Sequence, residues 1–149
     1  MTRSTARELA VRLCFGISEN PRSADEVLNE VFDPEYYTTL AAEDEAFTDR
    51  PGKTQMEYIS RVVRGVGEHS AELDGYVEKY SKGWKFERVS RMALAIIKTA
   101  MFEILYMPDI PNGVSINEAV ELAKRYEEPE TVPFINGVLG SFTRGELPQ

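Results

Sequence analysis

One pattern runs through the whole sequence: apolar residues recur at intervals of three and four, and no stretch alternates strictly between apolar and polar residues. Such spacing puts apolar side chains on one face of an α-helix, whereas alternation would put them on one face of a strand. Near the N-terminus, for example, Ala6, Leu9, Leu13 and Ile17 form such a face. The sequence therefore predicts an all-α protein, a compact bundle of about seven or eight helices.

Three Ser/Thr-x-x-Glu sequences mark predicted helix starts, at Ser23, Thr54 and Ser115. In this capping box the hydroxyl accepts a bond from the backbone three residues on, and the glutamate bonds back. A first helix is predicted from about residue 2 to 18 and a long one from about residue 87 to 106. A length of 149 residues suits a single domain, with the acidic segment at residues 33–53 as a variable connection.

The negative charge of the chain is concentrated in one segment. Its net charge is −8, and residues 23–50 alone carry −8, whereas residues 1–22 carry +2. Local patches decide contact with phosphates more than the charge of the whole chain does, so the sequence does not exclude an RNA-binding protein. One hypothesis is that the acidic segment weakens phosphate binding at the first helix, and the alternative is a solvated face that changes nothing.

The residue types that carry catalysis or bind metals are sparse. Cys14 is the only cysteine and His69 the only histidine, and no nucleophile triad or phosphate-binding loop is present. The sequence therefore predicts no enzyme, no catalytic residue, no cofactor and no metal site. No apolar run of about 18 residues occurs and the N-terminus lacks a signal peptide, so we expect a cytoplasmic protein that does not enter a membrane.

The most specific stretch lies near the C-terminus. Residues 114–124 read V-S-I-N-E-A-V-E-L-A-K, and residues 134–139 read F-I-N-G-V-L. Together they closely resemble the C-terminal signature of the NusB family of bacterial transcription antitermination factors. Three further blocks resemble the family in the same order: A-R-E at residues 6–8, W-K-F-E-R-V at 84–89 and A-M-F-E-I at 100–104. The resemblance implies two three-helix subdomains with short extra helices.

The resemblance also implies a function. The family binds the boxA element of ribosomal RNA leaders together with a small-subunit ribosomal protein that acts as NusE, in an RNA polymerase elongation complex with other Nus factors. Single-stranded RNA is bound by cations that meet its backbone and by aromatic faces that meet its bases. The predicted RNA-binding residues are Arg3, Arg7, Phe134 and Asn136. Arg7 should reach solvent, so Arg7→Ala should change stability by no more than roughly 0.5 kcal/mol.

Other residues raise a second hypothesis. Phe15, an aromatic outside the apolar face, and Glu103, in the A-x-[YF]-E block, are candidate partner contacts, whereas Trp84 is expected to be a core anchor. The N-terminus lacks two basic residues common in the family, and Pro133 stands where the family often has lysine. The alternative function is therefore a NusB-fold interaction module or homodimer with weak or no RNA binding.

Overall fold

A computed structural model describes residues 1–147 of the chain. Within that range the backbone forms eight α-helices, two short 3-10 helices and no strand, which confirms the predicted all-α class. The 3-10 helices, Glu45–Phe47 and Phe86–Arg88, precede α4 and α6. The α-helices are α1 (Arg3–Glu19), α2 (Ala24–Val31), α3 (Pro34–Glu43), α4 (Lys53–Glu68), α5 (Ser70–Tyr80), α6 (Arg91–Tyr106), α7 (Asn112–Tyr126) and α8 (Thr131–Glu146).

Hydroxyl side chains cap several of these helices. Thr2 accepts a hydrogen bond from the backbone N–H of Thr5 at 3.1 Å and begins α1. Ser23 begins α2 through a 3.1 Å bond from the N–H of Glu26, which confirms the start predicted there. The long helix α6 begins at Arg91 and not near residue 87, because Ser90 is its cap. Each cap satisfies an N–H that the helix itself leaves free.

The starts predicted at Thr54 and Ser115 are wrong. Helix α4 already begins at Lys53, and α7 begins at Asn112. The carbonyl of Pro111 accepts hydrogen bonds from the N–H groups of residues 114 and 115, so the helix has formed before Ser115 is reached. The Ser115 hydroxyl is buried and donates to the Glu103 carboxylate on α6 at 2.8 Å. The Ser115 hydroxyl thus joins α7 to α6 and does not cap the start of its own helix.

The chain divides into two compact units, Met1–Gly67 and a second that starts at Glu68. The first holds α1 to α3 and nearly all of α4; within it α1 packs on α2, and α2 on α3. The second holds α5 to α8, and its central helix α6 packs on the other three. Each unit thus has about four helices, where the resemblance implied three and short extra ones. The assignment of the whole chain to a single domain stays a prediction.

The acidic segment is folded. Most of it is helix α3 and the 3-10 helix that follows, and the rings of Tyr37 and Phe47 are buried in the first unit. The guanidinium of Arg50 lies 4.9 Å from the centre of the Tyr37 ring, a cation–π contact. These anchors leave the carboxylates of Glu43 and Glu45 exposed. Residues 33–53 thus contain packed helical structure in the first unit, and their role as a variable connection stays a prediction.

Candidate nucleic-acid interface

Two of the predicted RNA-binding residues meet at one aromatic ring. Arg3 and Arg7 are one helical turn apart on α1, and their guanidinium carbons lie 4.3 and 5.6 Å from the centre of the Tyr58 ring on α4. The Nε atom of Arg3 also donates to Oε1 of Gln55 at 2.8 Å. Arg3 remains partly exposed. Its guanidinium is thus held in position by two neighbours and still offers surface to a phosphate.

Arg7 is less exposed than the sequence predicts. Only 3% of its surface is exposed, so the expectation that it reaches solvent is wrong. Helical periodicity places Arg7 at the edge of the apolar face of α1, but the burial at that edge is set by another helix, because Tyr58 of α4 lies against it. A phosphate meets this guanidinium only if the side chain moves. Its role in RNA binding stays a prediction, and its packing role is evident.

Phe134 and Asn136 both lie on α8, in the second unit. Phe134 is 9% exposed, and the centre of its ring is 4.6 Å from that of Trp84, with 31° between the planes. Trp84 therefore covers one side of the ring that was predicted to face RNA. Asn136 is exposed and lines a shallow groove between α7 and α8. The groove is lined by Gly113, Ile116, Asn117, Val120, Val132, Pro133 and Asn136.

Trp84 does not occupy the core position expected of it. It was expected in the core, but 37% of its surface is exposed. The chain around it reads K-G-W-K, and a glycine in a short charged stretch is typical of a loop. That signal, given more weight than the usual burial of tryptophan, would have predicted an exposed ring.

The two candidate partner contacts lie in different surroundings. Phe15 is half-buried on α1 and stays a predicted contact. Glu103 has no exposed surface, and its carboxylate accepts the 2.8 Å hydrogen bond from Ser115. In this conformation Glu103 offers nothing for a partner to touch. The reason is its position on the inner helix of the second unit, covered by α7, which the sequence block itself does not reveal.

Other groups in the described residues are arranged for packing. Within residues 1–147, no cluster of three or more His, Cys, Asp or Glu side chains is placed to hold a metal ion. The His69 ring stacks on Tyr106, with 4.2 Å between ring centres, and Cys14 is buried. Across the same range, none of the helices combines the length and apolar character needed to cross a membrane.

Comparison with known proteins covers nearly the whole chain. The model of the NusB family matches residues 4–144. A protein of Ruminiclostridium cellulolyticum named transcription antitermination protein NusB is 40% identical over 149 residues, which is 100% of this chain and 93% of that protein. Its counterpart in Acetivibrio thermocellus, with the same name, is 41% identical over 147 residues, covering 99% of this chain and 92% of its own.

Solved structures show the same fold. NusB of T. maritima superposes with a TM-score of 0.80 at 26% identity, covering 99% of this chain and 94% of that one. NusB of Aquifex aeolicus superposes with a TM-score of 0.67 at 20% identity, which supports the fold alone. Family match, full-length identity and fold agree with the blocks at residues 6–8, 84–89, 100–104 and 114–139. This chain belongs to the NusB family.

Proposed function

We propose that this chain is a bacterial transcription antitermination factor that binds boxA-type RNA of ribosomal RNA leaders together with the small-subunit ribosomal protein that acts as NusE. The observation that carries the proposal is its 40% identity, over its full length, to a protein named transcription antitermination protein NusB. It acts in the cytoplasm, in an RNA polymerase elongation complex with other Nus factors. Its part is to bind, and it catalyses no reaction.

The side chains that support RNA binding are few. Arg3 supplies an oriented and partly exposed cation, and Asn136 supplies an exposed amide that is able to pair with a base edge or a phosphate. Each phosphate contact adds affinity by releasing counterions, so a protein with few cations binds weakly. We therefore expect weak RNA binding by the chain alone and stronger binding by its complex with NusE. Phe15 is the proposed contact with that partner.

A titration of labelled boxA-like RNA tests the proposal. Fluorescence anisotropy is measured with the chain alone, with the ribosomal protein alone and with both, and an RNA of scrambled sequence serves as the control. We expect the mixture to bind boxA-like RNA more tightly than either protein does. Equal affinity with and without the partner would contradict the proposal.

Arg3 allows a sharper test of the basic contact. Arg3→Gln removes the cation while keeping a polar side chain, so the slope of log affinity against log salt should fall by about 0.7, the value for one phosphate of a single strand. Arg64→Gln is the matched control, since Arg64 is exposed in the same unit and already pairs with Asp25 at 2.7 Å. An unchanged slope for Arg3→Gln would remove Arg3 from the interface.

A second candidate function is a NusB-fold interaction module or homodimer with little RNA binding. The burial of Arg7 and the net charge of −8 favour it, because both reduce the attraction of phosphates. Sedimentation at several concentrations distinguishes the two functions. A stable dimer that binds no boxA-like RNA, even with the ribosomal protein present, would establish this second function.

A further inference from the structure

We propose that the exposed ring of Trp84 is a stacking platform for one base of a single-stranded RNA, and that the cations around it hold the adjoining phosphates. This inference rests on the proposed RNA-binding function and names a contact within it. It replaces the predicted aromatic face at Phe134 with a different ring. The observations that carry it are the support of the ring, its exposure and the charge of the segment 82–91.

Trp84 lies on a second aromatic ring. Phe134 of α8 is nearly buried, and the 4.6 Å between the two ring centres means that Phe134 backs the indole. The 37% of Trp84 that is exposed therefore lies away from Phe134. A base that stacks there would continue the series of rings and gain dispersion and electrostatic contact on a surface that is already ordered.

The backbone holds the tryptophan in this position. Gly83 has a φ angle of +82°, a conformation that glycine adopts without the steric cost of a Cβ atom. The turn is closed by the N–H of Trp84, which donates to the carbonyl of Ser81 at 3.2 Å, and Ser81 itself is buried at the end of α5. The ring is thus presented by a fixed turn, which lowers the entropy lost when a base stacks on it.

The segment around the ring is the basic part of an acidic chain. Residues 82–91 hold four Lys or Arg and one Glu, a net charge of +3, and no ten-residue stretch of the sequence carries a larger positive charge. Lys82, Lys85 and Arg88 are exposed. Within the described range, 1–147, none of these three side chains forms an ion pair. Their charge is therefore available to an anion outside the protein.

An exposed aromatic ring with unpaired cations beside it suits both the bases and the phosphates of a single-stranded nucleic acid. Phosphates take the cations and a base takes the ring, and stacking of this kind accepts any base. Duplex RNA keeps its bases stacked on one another and offers no free base face. The expected ligand is therefore an unpaired stretch of RNA.

The test uses the fact that Trp84 is the only tryptophan of the chain. Labelled boxA-like RNA is titrated into the wild-type protein at low salt, and RNA anisotropy and Trp84 fluorescence are followed together. Stacking should quench the indole along the same binding curve. The ribosomal protein, added alone, should leave the indole signal unchanged, and a change there would overturn the inference in favour of a protein contact.

Variants separate the ring from the charges. Trp84→Ala should weaken RNA binding roughly five- to a hundredfold, the range for loss of one base–aromatic stack, whereas Trp84→Phe keeps a ring and most of the affinity. Replacing Lys82 and Lys85 together by glutamine should lower the salt slope by about 1.4 for two phosphates of a single strand. Lys124→Gln is the matched control, because that lysine is exposed in the same unit and pairs with Glu121 at 3.1 Å.

The outcomes distinguish this inference from the function on which it rests. If RNA binds the wild type without quenching Trp84, and binds Trp84→Ala with wild-type affinity, Trp84 is not a stacking platform. The proposed function is then left intact. Absence of RNA binding by the wild type, with and without the ribosomal protein, overturns the proposed function itself. Circular dichroism shows whether Trp84→Ala folds. If it does not, quenching of Trp84 in the wild type and the RNA affinity of Trp84→Phe still show whether a base stacks on the ring.

Discussion

Four charged residues are buried, and among them Arg7 and Glu103 have only 3% and 0% of their surface exposed. Removing a charge from water is costly unless hydrogen bonds or other charges compensate it. Substitution of such residues is therefore expected to change the free energy of unfolding, whatever its effect on binding. Both belong to sequence blocks that resemble the family, so a block match does not by itself assign a surface role.

Arg7→Ala is expected to destabilise the protein by about 1–3 kcal/mol, because it removes a buried side chain that packs on Tyr58 and leaves a space behind. Arg3→Ala, at the same ring but partly exposed, should cost less than about 1 kcal/mol. Urea denaturation measures both free energies of unfolding. Equal effects of the two substitutions would show that the burial of Arg7 has no energetic consequence.

Ser115→Ala is expected to cost about 1–3 kcal/mol, since the buried Glu103 carboxylate loses a hydrogen bond without gaining one from water. A double-mutant cycle with Glu103→Leu, which removes the acceptor, isolates the pair, and its coupling energy should reach at least about 0.5 kcal/mol. Ser141→Ala, at a half-exposed hydroxyl on α8 that accepts a 3.3 Å hydrogen bond from Arg144 near solvent, is the control. A coupling energy of zero would mean that Ser115 acts through its helix and not through Glu103.

At the scale of elements, the last turn of α8 is joined to α5 by side-chain hydrogen bonds. The Glu146 carboxylate accepts hydrogen bonds from Lys79, at 2.7 Å, and from the Tyr80 hydroxyl. These two donors hold the pKa of Glu146 below its ordinary value of 4.5. Tyr80 comes so close to α8 at Gly145 that a Cβ atom there would overlap the hydroxyl. Glycine thus permits the contact between the two helices.

Gly145→Ala should fail to stabilise α8, although alanine is the better helix former. The added methyl group displaces Tyr80 from Glu146, and such overpacking costs about 1–3 kcal/mol, more than the gain in propensity. Gly137→Ala is the matched control, because its Cβ atom would meet open space in the same helix. It should raise the free energy of unfolding by roughly 0.5–1 kcal/mol. A similar gain at both positions would contradict the close approach of Tyr80.

The same contact predicts a dependence on pH. The folded-state pKa of Glu146 is lowered, so its contribution is present above the unfolded value of 4.5 and is lost as the pH falls through the lowered pKa. Glu146→Gln should be less stable than the wild type at neutral pH, and the difference should shrink below about pH 4.5. Thermal melts from pH 7 to 3 test this, with Glu130→Gln as a control at an exposed carboxylate. A difference independent of pH would contradict it.

At the scale of the whole molecule, the charge is distributed unevenly. The acidic segment approaches the basic helix directly, because Arg12 of α1 pairs with Asp44 at 3.3 Å. Asp44 also accepts the N–H of Ala46 at 2.9 Å, so it has a structural role. A carboxylate that lies this near α1 is within the screening length of about 8–10 Å at physiological salt. Arg12 lies about 13.5 Å from Arg3 along the helix, at 1.5 Å per residue, so the hypothesis that the segment opposes phosphate binding at Arg3 and Arg7 stays a prediction.

The double substitution Glu43→Gln and Glu45→Gln tests that hypothesis while leaving Asp44 in place. Both side chains are exposed, so the fold should be unaffected. RNA affinity should rise at low salt, and the gain should shrink as salt screens the field. Glu121→Gln, in the second unit, controls for net charge. Affinities that match the wild type at every salt concentration would leave these carboxylates as a solvated face.

The sequence alone determined those features that depend on neighbours along the chain. Apolar spacing predicted the helices, and the caps at Thr2 and Ser23 occupy helix starts because a cap bond joins residues only three apart. Family membership could be inferred from four short blocks because each block is a run of residues that are neighbours in the sequence. The positions of Arg3 and Arg7 on one side of α1 were likewise determined by 3.6 residues per turn.

Tertiary structure decided which of those positions are buried. Arg7 is covered because Tyr58, 51 positions later in the chain, lies against it, and Ser115 bonds to Glu103 on another helix instead of capping its own. Trp84 is exposed because a glycine turn carries it out over Phe134, 50 positions away. Burial depends on which helices pack together. The packing of helices is determined by the summed free energy of many long-range contacts, and this sum cannot be predicted from a local sequence pattern.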